Sequence, residues 1–260
     1  MGIVNVTPDS FSDGGRFNEV DAATRHALAL VDAGATVIDI GGESTRPGAE
    51  SVTEREELSR VMPVVASVRA ATSALISVDT SKAGVARAAL EAGVDLINDV
   101  TGGRDESLVA TVAEFDAGIV LMHMRGEPRT MQVNPIYRDV IAEVGDELAS
   151  GAQRAIALGV RADAILTDPG IGFGKTAAHN FALLGNLREL AHRCGFPMLV
   201  GASRKRSLAE LVDDSEFARD DATLAVSVTA FAQGVAMVRV HDVASSVSAA
   251  RWMESIEVAA

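Results

Sequence analysis

Short runs of aliphatic residues recur along the chain at 2–6, 36–40, 75–78, 96–98, 119–122, 165–167, 198–200 and 237–240. Each is too short for a helix and lacks the polar alternation of a strand with one wet face, so each predicts a strand buried within a parallel sheet. Between them, apolar residues return at helical spacing over 22–33, 54–69, 82–92, 139–158, 180–192 and 223–233, which predicts amphipathic helices packed on that sheet. Gly34, Gly93, Gly118, Gly159, Gly195 and Gly234 follow helical stretches and read as helix stops. Eight strands alternating with helices predict an α/β fold, a (β/α)8 TIM barrel, because an open sheet of that many strands without a cofactor fingerprint would be less usual. Residues 1–260 read as one domain, since no linker or low-complexity tract divides them and the longer excursion at 126–137 marks no boundary.

Composition narrows the partners. Acidic residues outnumber basic ones 36 to 23, for a net charge of −13, and no basic stripe interleaved with aromatics exists, which argues against nucleic acid. The single cysteine, Cys194, excludes an intramolecular disulfide framework and leaves no His/Cys cluster to hold zinc, so the chain reads as cytoplasmic. No apolar run approaches the ~20 residues of a membrane span, and the start lacks a signal-peptide pattern.

The polar residues at or just after the strand ends are Asn5, Asp39, Asp79, Asn98, His123, Asp168, Ser203-Arg204-Lys205, Arg239 and His241. A helix cap or turn residue is the simpler account of any one of them. Eight strand ends together describe a polar pocket on the barrel face that carries catalysis. Asp79, Asn98 and Asp168 suit a flat heterocycle with adjacent N–H groups, whereas Lys205, Arg239 and His241 suit an anion. Two glycine-bearing loops, 7–15 and 41–48, can close over a substrate and bring Phe11, Arg46 and Pro47 to it. Residues 168–176 end like a phosphate-binding loop, but Pro169 stands where its first glycine is required. His26, His179 and His192 fall in helical stretches and read as ordinary surface or core histidines, and Ser203 lacks the GxSxG setting of a hydrolase nucleophile.

In order along the chain stand NVTPDSFSDGG from Asn5, DIGGESTRPGA from Asp39, SVDTSK from Ser77, INDVTGG from Ile97, MHMRGEPRTMQ from Met122, DPGIGFGKTAAHN from Asp168, SRK from Ser203 and RVHDV from Arg239. Together they resemble the dihydropteroate synthase family of pterin-binding barrels. The resemblance implies a transferase of folate biosynthesis, a sulfonamide target, that condenses 6-hydroxymethyl-7,8-dihydropterin pyrophosphate with 4-aminobenzoate. It implies that Asp79, Asn98, Met122, Asp168, Gly172, Phe173 and Lys205 hold the pterin. Asn5, Thr45, Arg46, Arg239 and His241 would hold the pyrophosphate, with Asn5 as the ligand of Mg²⁺. Phe11, Thr45, Pro47, Ser203 and Lys205 would line the aminobenzoate site, with Asp13 in the closing loop. Asp79, Lys205, Arg239 and His241 would be the catalytic group, and the assembly a homodimer.

The segment after SRK departs from the family at Ser207, usually large and apolar, and at Ala209, usually glycine; we read both as repacking of a helix. The chain starts at the first strand, so residues that normally precede it and close the barrel floor are expected to be missing. A pterin-barrel methyltransferase is the nearest alternative, but it has no reason to keep both anion motifs. A pterin-binding homologue without turnover is another, opposed by Arg46, Lys205, Arg239 and His241. A barrel for some other phosphorylated metabolite is the third.

Overall fold

A computed structural model describes residues 1–7, 15–44, 48–127, 129–205 and 216–259. All eight predicted strands form: β1 (Gly2–Asn5), β2 (Val37–Gly41), β3 (Leu75–Asp79), β4 (Leu96–Asp99), β5 (Gly118–Met122), β6 (Ile165–Asp168), β7 (Leu199–Val200) and β8 (Met237–Val238). The first six pair in parallel in chain order, and β7 pairs in parallel with β8. Parallel bridges from Thr167 to Met198 and from Gly2 to Val240 join these two sheets into a ring. Backbone hydrogen bonds seal both seams, Thr167 N–H donating to Pro197 O at 2.9 Å and Ile3 N–H to Val240 O at 3.1 Å. The result is a closed eight-stranded barrel.

Around it lie α1 (Gly15–Asp32), α2 (Glu54–Ala71), α3 (Ala83–Glu91), α4 (Glu106–Glu114), α5 (Val140–Ala157), α6 (Ala177–Gly185), α7 (Leu187–Cys194), α8 (Glu216–Ala232) and α9 (Val243–Ala259). Two expectations change. The stretch 180–192 is not one helix: Asn186 breaks it, at φ −131° and ψ 34°. Gln233, at the end of α8, accepts the Leu187 N–H at 2.8 Å and so supplies a cap that no local residue provides. Nor is Gly118 a helix stop, since it opens β5, and the left-handed residue after α4 is Asp116 (φ 52°). A Cβ at Gly118 would stand 2.6 Å from Leu96 Cδ1, so close strand packing explains that glycine better than a turn does.

Strand alternation sorts the side chains into two populations. Ile38, Ile40, Ile76, Val78, Ile97, Ile119, Leu121 and Ile165 point outward into one apolar cluster with the helices. In the barrel interior, Met1, Val37, Val120 and Leu199 pack as a floor, with Leu96, Leu166 and Met237 against them. This layer fills the floor of the barrel. Above it, the same inward parity places Asn5, Asp39, Asp79, Asn98, Met122, Asp168 and Arg239 toward the carboxyl ends of the strands.

Candidate active site

The centre of the polar layer is a carboxylate–guanidinium cluster. Arg239 Nε donates to Asp39 Oδ2 at 2.5 Å and Arg239 Nη2 to Asp79 Oδ2 at 3.0 Å, while Asn98 Nδ2 donates to Asp39 Oδ2 at 3.2 Å. Residues from β2, β3, β4 and β8 meet here because the ring is closed. Three carboxylates, Asp39, Asp79 and Asp168, thus face two cations, Arg239 and Lys205. Burial pushes the Asp79 carboxyl up to about 7, despite the nearby Arg239 charge. The Asp39 charge, which shares the same guanidinium, adds a smaller upward push. Arg239 itself stays charged, since Asp39 and Asp79 outweigh the effect of its burial.

The second part of the site is the loop after β6. Asp168 is buried and accepts the Gly170 N–H at 2.7 Å, and burial raises its carboxyl above the usual range against the pull of Lys205. Lys205 Nζ donates to Ile171 O at 2.5 Å and stands 4.4 Å from the centre of the Phe173 ring. Burial lowers this lysine to about 8, with Asp168 opposing the shift. Gly172 takes φ +84°, and a Cβ there would lie 3.2 Å from Lys205 Cδ, so glycine leaves room for the lysine stem. Met122 and Phe173 pack with Val100, Met124 and Met131 as an apolar wall beside these charges.

Ser203 and His241 form a third group, at the ends of β7 and β8. Ser203 Oγ lies 2.9 Å from His241 Nδ1 and accepts the His241 N–H at 3.2 Å. The resemblance assigned them to different ligands, but here they are one unit. Asn5 ends β1, half-buried, in register with Gly41, which itself pairs with Asp79. Phe11, Asp13, Thr45, Arg46, Pro47, Ser207 and Ala209 lie outside the described residues.

Not every strand-end residue joins the site. His123 follows the inward Met122 and therefore turns outward, where its Nε2 lies 3.2 Å from Glu147 Oε2 on α5. Arg239, expected at the pyrophosphate, is engaged by two carboxylates within the barrel. Two residues matter more than sequence reasoning allowed. Asp39, read only as a strand-end acid, is fully buried under Arg239. Lys175, noticed only as the tail of a failed phosphate-loop match, is also buried; its sole sequence signal is a lysine among glycines between a strand and a helix. Among the described residues no group of three or more His, Cys, Asp or Glu side chains could cage a metal ion. No helix among them is long and apolar enough to cross a membrane.

The charge pattern predicts a pH profile. An acceptor role for Asp79 needs the carboxylate, which is lost as pH falls through about 7, while the Lys205 cation is lost as pH rises through about 8. Second-order rates with a pterin substrate, corrected for its own titration, are therefore expected to be bell-shaped with a maximum between these limits. Rates measured from about pH 6 to 9 check this, and a flat profile contradicts it.

A closed barrel with acids and cations packed together at its carboxyl rim is the frame of an enzyme. The profile of the family described as pterin binding enzymes matches residues 1–241, and the chain belongs to that family. It is 45% identical to the dihydropteroate synthase of Escherichia coli strain K12 over 255 residues, covering 98% of this chain and 90% of the relative. It is 47% identical to that of Mycobacterium leprae over 258 residues, covering 96% and 90% respectively. The Yersinia pestis dihydropteroate synthase, solved with a sulfonamide drug complex, matches with a TM-score of 0.93 at 44% identity, covering 99% of this chain and 94% of that one. The Xanthomonas albilineans enzyme, solved with 4-aminobenzoic acid, gives 0.92 at 44%, covering 99% and 92%. Within the family the chain falls among the dihydropteroate synthases, which are transferases.

Proposed function

We propose that this barrel condenses 6-hydroxymethyl-7,8-dihydropterin pyrophosphate with 4-aminobenzoate, releasing 7,8-dihydropteroate and pyrophosphate in folate synthesis. The observation that carries this reading is the set of buried Asn98 and Asp168 with half-buried Asp79 and Lys205 beside the Met122–Phe173 wall. The pterin's amino and ring N–H groups donate to the two carboxylates, as a guanidinium would. Asn98 both donates and accepts, and the apolar wall covers one face of the ring. Arg239 holds the acids in place from the barrel interior, and it can reach pyrophosphate only by yielding at least one of them.

In the reaction the bond from the exocyclic methylene to the diphosphate oxygen breaks, and its electron pair leaves with pyrophosphate. The electron-rich dihydropterin stabilises the resulting cation. The amine lone pair of 4-aminobenzoate then forms the new C–N bond, and the amine proton passes to water or the departing diphosphate. No protein nucleophile takes part. His241 and Ser203 offer hydrogen bonds at the rim for the anionic groups of the two substrates. Thr45 and Arg46 toward the pyrophosphate, and Phe11 and Pro47 toward the aminobenzoate, take their roles from the resemblance.

The donor set fits Mg²⁺: one carboxamide at Asn5, with no cluster of His, Cys or carboxylate ligands among the described residues, leaves most oxygen positions for diphosphate and water, as this hard cation prefers. When bound, the ion would neutralise charge on the leaving group. We read residues 1–260 as one domain working in the cytoplasm as a homodimer. Phe181 on α6, Val228 on α8 and Trp252 and Ile256 on α9 are large exposed apolar side chains that such an assembly could cover. A sedimentation mass of one chain would rule the dimer out.

The test is pyrophosphate release from the dihydropterin substrate with Mg²⁺, with and without 4-aminobenzoate, with identification of the product. Release coupled to dihydropteroate formation, and lost on chelation, is expected. Pterin binding without turnover would favour a non-catalytic homologue, and a covalent enzyme adduct would overturn the dissociative route.

A further inference from the structure

Lys175 lies between β6 and α6 and is 3% exposed, a rare burial for a lysine. Its Nζ donates to Gly170 O and Phe173 O, both at 3.0 Å, and stands 2.8 Å from His123 Nδ1, with His123 O at 3.4 Å. Three polar atoms thus surround Nζ within 3.0 Å, with His123 Nδ1 an acceptor among them when the imidazole carries its proton on Nε2. Burial lowers His123 and favours its neutral form. On the far side, His123 Nε2 faces the Glu147 carboxylate at 3.2 Å, and that carboxyl is held down at about 2, chiefly by His123. Burial also pulls Lys175 well below the usual lysine range, opposed by Asp168 and Glu147.

What Lys175 ties down is the loop that builds the pterin half of the site. Gly170 caps Asp168, Ile171 O receives Lys205, and Phe173 faces the Lys205 ammonium. The loop is drawn so tightly onto β5 that a Cβ at Gly170 would sit 1.9 Å from His123 O. Its outer face is fastened separately, Gln132 Nε2 donating to Gly172 O at 2.6 Å and Tyr137 Oη to Gly174 O at 2.9 Å. Those bonds hold the loop near the barrel. The Lys175 bonds converge on the carbonyls at positions 170 and 173, which flank the Lys205 contact, and they add to the turn bond from Phe173 N–H to Gly170 O at 3.0 Å.

We propose that Lys175 is a positioning residue for pterin recognition: through Gly170 and Phe173 it sets where Asp168, Phe173 and Lys205 stand, with His123 as its anchor on β5. The proposal rests on the pterin reading of the site. It assigns no proton transfer and no substrate contact to Lys175.

The experiment compares parent and Lys175→Met in steady-state turnover with each substrate varied in turn, and in calorimetric titration with 6-hydroxymethylpterin, which lacks the leaving group. Lys175→Met is expected to raise the KM for dihydropterin pyrophosphate and the Kd for 6-hydroxymethylpterin by about tenfold, the scale of one buried hydrogen-bonding group left unmet. The KM for 4-aminobenzoate should change less than about twofold, within the range of an uninvolved site. Pterin affinity within about twofold of the parent, or equal losses for both substrates, overturns the proposal. If Lys175→Met does not fold, His123→Asn and His123→Leu decide: asparagine keeps an acceptor for Lys175 and should bind pterin more tightly than the leucine variant, whereas equal affinities overturn the proposal. A parent that binds 6-hydroxymethylpterin without turnover would instead reject the synthase reading, and the pterin titrations would still judge Lys175. A parent that does not bind pterin would overturn both.

Discussion

Arg239→Ala is expected to lower the stability of the fold by about 3–5 kcal/mol, the scale for removing one partner of a buried ion pair, and to reduce turnover with it. Its guanidinium bridges Asp39, which has no exposed side-chain surface, and Asp79, which has little. Without the arginine both acids stay in the barrel with their charge uncompensated, Asp39 keeping the hydrogen bond from Asn98, so the site must take up a proton or admit water. Urea unfolding at neutral pH measures the loss. It should shrink toward acid pH, because protonation removes the uncompensated charge, and it should shrink in the double variant Asp39→Asn/Arg239→Ala. A loss below about 1 kcal/mol, the usual range of an exposed pair, would mean that the guanidinium contributes little to the folded barrel.

Asp168→Ala should reduce kcat/KM for the dihydropterin substrate by about 10² to 10³, or roughly 3–4 kcal/mol of transition-state binding. The carboxylate supplies an acceptor for the pterin, caps Gly170 at 2.7 Å and is the main influence holding up the Lys205 ammonium against burial. The isosteric Asp168→Asn separates these roles from folding. With the negative charge gone, Lys205 should lose its proton at a pH below the parent's value of about 8, so the alkaline limb of the rate profile should move to lower pH. An unchanged alkaline limb, with a folded variant, would remove Lys205 from the assignment. Near-parental activity in Asp168→Ala would remove Asp168 itself.

Much of this architecture was legible in the chain. The eight aliphatic runs became eight strands with ends shifted by one or two residues, because a strand inside a barrel has no wet face and must be apolar on both sides. Period-two alternation carries the polar strand ends inward wherever the counted residue has the parity of the floor residue below it. Asp79 follows Leu75 and Ser77, Asn98 follows Leu96, Asp168 follows Leu166, and Arg239 follows Met237. The same rule misplaced His123, because it lies one residue past an inward methionine and so turns to α5. The split between α6 and α7 was hidden for another reason: its cap, Gln233, touches Leu187 in space but stands 46 residues away in sequence.

The sequence alone therefore determined the number and direction of the strands, their floor-to-rim polarity and the residue types at the catalytic face, since these follow from local periodicity and from the burial of backbone in sheet. Only the tertiary structure decided which charges meet. Arg239 reaches Asp39 across 200 residues and Asp79 across 160, contacts that exist because the last strand closes on the first. Lys175 turns inward onto His123 because the glycine-rich loop before it folds back on β5. Neither pairing has a period or a spacing to read, because each is set by ring closure and by the need of a buried charge for partners.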